Sequence, residues 1–240
     1  MFQHHLWVEF MKVINFFGAP GAGKSTTAAG FFYELKKRWV SAELVGEFAK
    51  ELVWSDSGHL LSQQNYVFAH QEHRLNRLIG KVDVAVCDAP LLLSAFYAPE
   101  NYPLSFNQSV FDFFNLYENV NILVRRSHEY AKDGRLQNEQ EADAIALGLE
   151  NFLKDNGIPF YAVKANNTNP VFLLYWLVST GLIDLPAGVN PLSPDEKPPL
   201  GWIQPSLEKS MGTDGLPIPM AHAVAQRYIP SDIKTVGEKR

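Results

Sequence analysis

A short glycine-rich segment constrains the fold of this 240-residue chain more than any other feature. It begins at Gly18, ends at Ser25 and reads G-A-P-G-A-G-K-S, which matches the pattern G-x-x-x-x-G-K-[ST]. An apolar run over 12–17 precedes it, and a helical pattern over 23–38 follows it. In such a strand–loop–helix arrangement, consecutive backbone N–H groups converge at a helix N-terminus and stabilise an anion. The segment therefore predicts a phosphate-binding loop within an α/β fold.

The residues of this loop have separate expected roles. Its glycines permit the required backbone angles and a close approach of the ligand. Lys24 is expected to reach the β- and γ-phosphates, and the Ser25 hydroxyl is expected to bind Mg²⁺. The predicted nucleotide-binding residues are Gly18, Ala19, Pro20, Gly21, Ala22, Gly23, Lys24, Ser25 and Thr26. The loop thus predicts ATP and Mg²⁺ as ligands and leaves the reaction open.

Apolar runs alternate with helical patterns along the first two thirds of the chain. Helical spacing of apolar residues predicts helices over 60–79 and 139–156. The predicted strands cover 12–17, 42–45, 82–87, 121–124 and 158–163. This alternation predicts a doubly wound, five-stranded parallel sheet with helices on both faces.

The character of the sequence changes after Ala165. One more helix is predicted over 169–183, after which prolines dominate, with ten of the fifteen lying between Pro170 and Pro230. We therefore predict a catalytic domain over 11–165 with a lid around 125–138. The remaining residues, 166–240, are predicted to form a short helix and a proline-rich tail that is extended or partly disordered.

Charge and composition narrow the classes of partner. The net charge of −5 gives no support to a broad electrostatic grip on nucleic acid, although it leaves room for a local basic groove. The single cysteine, Cys87, excludes an intrachain disulfide and fits a reducing compartment. The apolar run over 171–183 is too short to span a bilayer, and residues 1–10 do not have the pattern of a signal peptide. These features predict a cytoplasmic protein without a membrane partner; they do not indicate its oligomeric state.

An acidic residue ends the third predicted strand. Asp88 follows the apolar run Val84–Cys87. Since the carboxyl ends of parallel strands open onto one crevice, Asp88 and the glycine-rich loop are expected at the same edge. A carboxylate at this point either holds Mg²⁺ or takes the proton of an attacking hydroxyl; the alternative is a helix cap near Leu91. The residue after Asp88 is not acidic, which disfavours a hydrolytic motor.

Three further polar residues are candidates for binding a phosphate acceptor. Glu47 follows the second predicted strand, where it competes with Asp88 as a base, or else opens a helix whose dipole favours a negative charge. Gln64 and Gln71 lie within the apolar arc of the helix predicted over 60–79. A buried amide needs a hydrogen-bonding partner, so either this pair reads the edge of a base or both amides bond to neighbouring backbone.

Arginines follow the fourth predicted strand. Arg125 and Arg126 leave that strand, and Arg135 lies in the polar loop before Glu139. A loop in this position can close over phosphates, exclude water and supply cations to the transferring phosphoryl group. Arg126 and Arg135 are the predicted contacts of the γ-phosphate. The alternative is a solvated basic loop.

Four segments together resemble the small P-loop kinases: GAPGAGKST, VDVAVCDAP, the lid that begins at LVRR, and IPFYAV. The resemblance covers roughly residues 11–165. The small P-loop kinases include nucleoside and nucleotide kinases. Within this group the chain looks most like bacteriophage-encoded P-loop kinases, some of which phosphorylate 5-hydroxymethyluracil in phage DNA. That step activates the base for further modification and so protects the genome from host restriction enzymes. The resemblance implies that Lys24, Ser25 and Asp88 carry over by position, whereas the acceptor residues do not.

Three functions follow from these observations. The first is transfer of the γ-phosphate of ATP to a hydroxyl of a nucleoside-type acceptor, with 5-hydroxymethyluracil in phage DNA as the expected acceptor. The second is a kinase of free nucleosides or nucleoside monophosphates on the same scaffold. The third is a nucleotide-dependent switch or ATPase that binds a partner through its proline-rich tail.

Overall fold

Strands and helices alternate along the chain in a computed structural model, which describes residues 11–127, 129–130, 138–165, 169–191, 205 and 207–208. The strands are β1 (Lys12–Phe17), β2 (Ala42–Val45), β3 (Val84–Cys87), β4 (Glu118–Arg125), β5 (Phe160–Lys164) and β6 (Leu207–Glu208). The helices are α1 (Lys24–Lys37), α2 (Phe48–Trp54), α3 (Gln64–Asn76), α4 (Leu92–Phe96), α5 (Leu104–Phe114), α6 (Glu139–Asp155) and α7 (Asn169–Ser179). A short 3-10 helix, Gly58–Ser62, lies between α2 and α3.

The strands form one six-stranded sheet in the order β2-β3-β1-β4-β5-β6. The first five strands in this order are parallel, and β6 pairs antiparallel with β5 through Leu207 and Tyr161. The predicted doubly wound parallel sheet is therefore confirmed. The sixth strand was not predicted, because two residues are too few to show an alternating pattern.

The central strand β1 determines where the ligand site lies. Val13, Ile14, Phe16 and Phe17 are all fully buried, as expected for a parallel strand covered by helices on both faces. Asn15 is in register with Cys87 on one side and Asn121 on the other. The carboxyl ends of β1, β3 and β4 therefore meet at one edge of the sheet.

The helix predicted over 60–79 is divided in the structure. The 3-10 helix ends at Ser62, and α3 begins at Gln64. Gln63 between them has φ −89° and ψ 72°, which no α-helix accommodates. The apolar spacing continued across this break, so the sequence pattern did not reveal it.

The hydrophobic core continues beyond Ala165, where the sequence placed the end of the domain. α7 packs on α1, and Leu173, Leu174 and Leu177 are fully buried in the same core cluster as β1. The two helices touch closely at Gly30, where an added Cβ would lie 2.7 Å from Cγ of Pro170. The folded unit therefore includes α7.

The proline-rich tail predicted over 166–240 falls mostly outside the described residues, and so does most of the lid predicted around 125–138. No helix in the described part of the chain combines the length and the apolar character needed to cross a membrane.

We expect Leu173→Ala and Leu177→Ala to lower the free energy of unfolding by about 2–5 kcal/mol each, because each leaves a cavity in a fully buried site. The matched control is Leu104→Ala, which removes the same atoms from a side chain that is 78% exposed and should cost less than about 0.5 kcal/mol. Denaturant unfolding measures all three. Equal, small effects would contradict the assignment of α7 to the core.

Candidate nucleotide and acceptor site

The glycine-rich loop lies between β1 and α1, as predicted. Gly23 precedes the helix with φ 84° and ψ 14°, a left-handed conformation that favours glycine. A Cβ on Gly18 would lie 3.0 Å from the carbonyl oxygen of Val124, so a larger residue would crowd the loop against β4. The side chains of Ser25 and Thr26 are exposed in the first turn of α1. The first backbone N–H groups of this helix have no acceptor within it and are available to an anion.

Lys24 joins the loop to two carboxylates. Its Nζ lies 2.7 Å from Oδ1 of Asp88 and 3.4 Å from Oε2 of Glu47, and it also donates to the backbone carbonyl of Asp88. Burial lowers the pKa of Lys24, but the charges and hydrogen bonds of Glu47 and Asp88 outweigh it, and the net pKa is raised. The ammonium group of Lys24 is therefore positively charged at neutral pH.

Both carboxylates come from the ends of neighbouring strands. Asp88 directly follows β3, is 8% exposed, and donates its backbone N–H to the carbonyl of Val45 at 3.0 Å. Glu47 follows β2 after Gly46 and precedes the first residue of α2. The structure thus brings Lys24, Asp88 and Glu47 together at one edge of the sheet.

The two glutamines are buried in α3 and bond to nearby backbone. Gln64 donates to the carbonyl of Leu61 at 2.7 Å. Gln71 donates to the carbonyl of Gly46 at 3.2 Å and accepts from the N–H of Phe48 at 3.0 Å. Of the two arrangements that the sequence allowed, the structure has the one in which both amides bond to backbone. Their predicted contact with an acceptor stays a prediction.

The arginines after β4 are engaged by acidic residues. Arg125 lies 3.0 Å from carboxylate oxygens of both Glu150 and Glu208. Arg126 lies 2.9 Å from Glu139 and 2.5 Å from Asp143, both on α6. Arg135 lies outside the described residues. Of the two predicted γ-phosphate contacts, only Arg126 therefore has a known environment, and there it is held by the first turns of α6.

A cavity of about 350 Å³ opens beside the glycine-rich loop. Its walls come from the loop, from the end of β4 and from one side of α6. Its lining residues include Ala19, Pro20, Ala22, Val124, Arg126, Ala142 and Leu147. The lining is mainly apolar, and its charged residues are Arg125, Arg126, Asp143 and Glu150, a composition typical of small-molecule sites.

Tyr97 is a site residue that the sequence did not indicate. It follows α4, and its pKa is raised by burial and by the negative charge of Glu47. Its proximity to Glu47 depends on the packing of α4, and no local pattern reports that.

The donor set of the site fits a hard divalent cation. Asp88 offers a carboxylate and Ser25 a hydroxyl, and Mg²⁺ is usually held by one or two such protein oxygens together with substrate phosphates and water. Over the residues that the structure covers, no three His, Cys, Asp or Glu side chains are grouped to hold a metal by themselves.

The sequence model of a family described as an AAA domain matches residues 13–169, more than half of the chain. No curated protein matches the chain.

Solved structures similar to the chain include two of deoxyadenosine kinase from M. mycoides. The one with bound dCTP has 22% identity and a TM-score of 0.45, over 70% of this chain and 99% of that one. The one with bound products has 21% identity and a TM-score of 0.47, over 71% and 100%. An APS kinase from Mycobacterium tuberculosis in complex with AMPPNP and APS has 17% identity and a TM-score of 0.36, over 59% and 76%.

Cys87, next to Asp88, provides a test of whether water is excluded from this edge of the sheet. It is fully buried, and burial raises its pKa to about 12. The folded protein therefore keeps the thiol protonated while the unfolded chain ionises it above about pH 8.5, so stability is lost as the pH rises beyond that value. Between pH 8.5 and 10 we expect the native protein to lose about 1–2 kcal/mol more than Cys87→Ala does.

Denaturant unfolding at the two pH values measures this difference. Tyrosines and lysines contribute equally to the pH dependence of both proteins, so their contributions cancel when the variant is subtracted. A thiol reagent should label Cys87 only after unfolding. Rapid labelling of the native protein, with identical pH dependence of protein and variant, would contradict the buried environment.

Proposed function

This chain belongs to the AAA domain family, and we propose that it is a kinase that transfers the γ-phosphate of ATP to a hydroxyl of a nucleoside-type acceptor. One observation carries the proposal: the lysine of the phosphate-binding loop lies between two carboxylates that end neighbouring strands. One carboxylate is enough to hold a metal ion. The second suggests a group that receives a proton from an attacking hydroxyl.

On the donor side, the proposed ligand is ATP with its phosphates at the N-terminus of α1. Lys24 would exchange its carboxylate partners for the β- and γ-phosphates, and the backbone N–H groups of the loop would bind the β-phosphate. Ser25 and Asp88 would hold Mg²⁺, which when bound would neutralise negative charge of the triphosphate. The cavity beside the loop is the space that we assign to the nucleoside end of ATP.

On the acceptor side, we assign the base to Glu47. Asp88 lies closer to Lys24, and its side chain is 12% exposed against 30% for Glu47, so Glu47 is the more accessible of the two to an incoming acceptor. In the proposed step the acceptor oxygen attacks the γ-phosphorus, and the bond from the γ-phosphorus to the β–γ bridging oxygen breaks. The hydroxyl proton passes to Glu47, and the products are ADP and the phosphorylated acceptor.

The proposed lid supplies the remaining positive charge. Arg126 and Arg135 stay the candidates for contact with the γ-phosphate. Arg126 is held by Glu139 and Asp143, so it would have to leave these carboxylates for the phosphate as the lid closes.

For the acceptor itself we propose a hydroxymethyl group of 5-hydroxymethyluracil in phage DNA, as a step of base modification that protects against restriction. A basic groove near Glu47 supports a polymeric acceptor. It has a volume of about 410 Å³ and is lined by Val45, Gly46, His70, His73, Arg74 and Arg77. His70, His73 and Arg74 lie on α3, and Arg77 directly follows it. Arg74 is paired with Glu51, so Arg77 is the arginine we assign to a DNA phosphate, the contact that dominates affinity for DNA. Free nucleosides or nucleoside monophosphates are the alternative acceptors.

The central test offers labelled ATP to four kinds of acceptor: duplex DNA with 5-hydroxymethyluracil, unmodified DNA, free nucleosides and nucleoside monophosphates. Label in the polymer only when the modified base is present would support the DNA acceptor. Label on free nucleosides or monophosphates alone would contradict that acceptor and retain the kinase. Release of phosphate without any labelled acceptor would contradict the kinase and favour an ATPase or switch.

Two substitutions test the assigned roles in the same assay. Lys24→Ala should abolish transfer to every acceptor, because it removes the cation that the phosphates need. Asp88→Asn should lower kcat by about two orders of magnitude, the scale of one preorganised charge at a transition state, while ATP binding by calorimetry is largely retained. Full activity of Lys24→Ala would show that the loop is not the catalytic phosphate site. Complete loss of ATP affinity in Asp88→Asn would point to a mainly structural role.

The basic groove gives a prediction about salt. Arg77→Ala should weaken binding of duplex DNA and reduce the slope of log affinity against log salt concentration by about 1, because one phosphate contact is lost. Lys37→Ala is the matched control, since it removes one exposed cation from the end of α1 far from the loop. Titrations at several salt concentrations measure both slopes. Equal changes in the two variants, or no change in Arg77→Ala, would remove the support for a polymeric acceptor.

A further inference from the structure

We propose that Gln71 is a positioning residue for Glu47: its side-chain amide holds the backbone on both sides of residue 47 and so directs the carboxylate toward Lys24. This inference rests on the proposed function, in which Glu47 receives the proton of the acceptor hydroxyl. It assigns Gln71 an indirect role through Glu47, in place of the predicted contact with the acceptor.

The hydrogen bonds of Gln71 bracket Glu47. Its Nε2 donates to the carbonyl of Gly46 at 3.2 Å, and its Oε1 accepts from the N–H of Phe48 at 3.0 Å. The carbonyl before a residue and the N–H after it point to the same side of an extended chain, and Glu47 is extended, with φ −79° and ψ 114°. One amide therefore meets both groups at once.

The position of β2 explains why this turn needs outside support. β2 is the edge strand of the sheet, with β3 on one side, and Gly46 follows directly after its last residue. The amide of Gln71 satisfies the Gly46 carbonyl and the Phe48 N–H, backbone groups whose burial without partners costs free energy.

The same arrangement leaves the carboxylate of Glu47 available. The residue before a helix commonly uses its side chain to cap the first free N–H groups, but Glu47 makes no such bond to α2. The N–H of Phe48, the first residue of α2, is already bonded to Gln71. The carboxylate faces Lys24 instead, at 3.4 Å.

A direct contact between Gln71 and an acceptor would require these bonds to break. Gln71 is 4% exposed, and both polar ends of its amide are engaged. Reading a base would leave the Gly46 carbonyl and the Phe48 N–H without their buried partner. The geometry therefore favours the positioning role over base recognition.

Two substitutions separate the two hydrogen bonds. Gln71→Met keeps the length of the side chain and removes both bonds. Gln71→Glu keeps an acceptor for the Phe48 N–H, but an ionised carboxylate has no N–H for the Gly46 carbonyl. The matched control is Asn121→Leu, which removes another buried amide that donates to backbone, at the carbonyl of Pro159. Asn121 lies on β4, separated from β2 by β1 and β3.

We expect both variants of Gln71 to lower kcat by about 10- to 100-fold, because a small misplacement of a reacting group has an effect of that size. The Kd of ATP and the KM of the acceptor should stay unchanged, since the positioning role gives Gln71 no contact with either ligand. Asn121→Leu should lose stability and keep kcat. A rise in acceptor KM with kcat unchanged in the Gln71 variants would overturn the proposal in favour of direct contact. An equal fall of kcat in Asn121→Leu would also overturn it, because the loss of activity would then follow from general destabilisation of the fold.

A measurement without turnover distinguishes this proposal from the proposed function. Amide hydrogen exchange of Phe48 should become about fivefold faster or more in Gln71→Met, the usual effect of one lost hydrogen bond, and stay slow in Gln71→Glu. Unchanged exchange in Gln71→Met would overturn the role of Gln71 whatever the activity. If the two variants show this exchange pattern but the native protein transfers phosphate to no acceptor, the proposed function alone would be contradicted.

Discussion

The ammonium group of Lys24 is the point on which the site depends. It comes from the first residue of α1, and its partners are the carboxylates that end β3 and follow β2. A buried charge is tolerated only where opposite charges and hydrogen bonds compensate its desolvation. The three side chains therefore hold the loop, the central strands and the edge strand in one arrangement. The cluster has two carboxylates for one ammonium group. This excess of acidic groups favours binding of a cation such as the Mg²⁺ that accompanies ATP.

The parts of the site that follow from local chemistry could be predicted from the sequence. The loop from Gly18 to Ser25 could be predicted because a left-handed backbone angle and a close approach of β4 both favour glycine. The position of Asp88 could be predicted because an acidic residue after an apolar parallel strand lies at the ligand-binding edge of the sheet. The structure confirms the parallel sheet around them. Features that depend on distant partners could not be predicted. Strand β6 has two residues, the environment of Tyr97 depends on how α4 packs, and the bonds of Gln71 depend on a turn 25 residues away.

The two sides of the site differ in how the sheet supports them. The phosphate-binding loop connects a central strand to a long helix, so its geometry is fixed by covalent neighbours and by a core on both faces. Glu47 follows an edge strand of four residues and precedes a helix of seven. An edge strand has fewer partners to restrain it, and the side chain of Gln71 on α3 bonds to the turn that follows it. The loop and the turn that carries Glu47 therefore share the ion pairs of Lys24 but otherwise depend on different interactions.

The close contact between α1 and α7 links two positions that are far apart in the chain. Glycine at residue 30 leaves only enough space for the ring of Pro170. Each of these residues limits which residue the other position accepts, so the two should covary among relatives. A homologue with a side chain at position 30 is expected to have a smaller residue at position 170 or to seat its last helix differently. An alignment of homologues would show this coupling as a signature of relatives that retain α7 against the back of the nucleotide-binding helix.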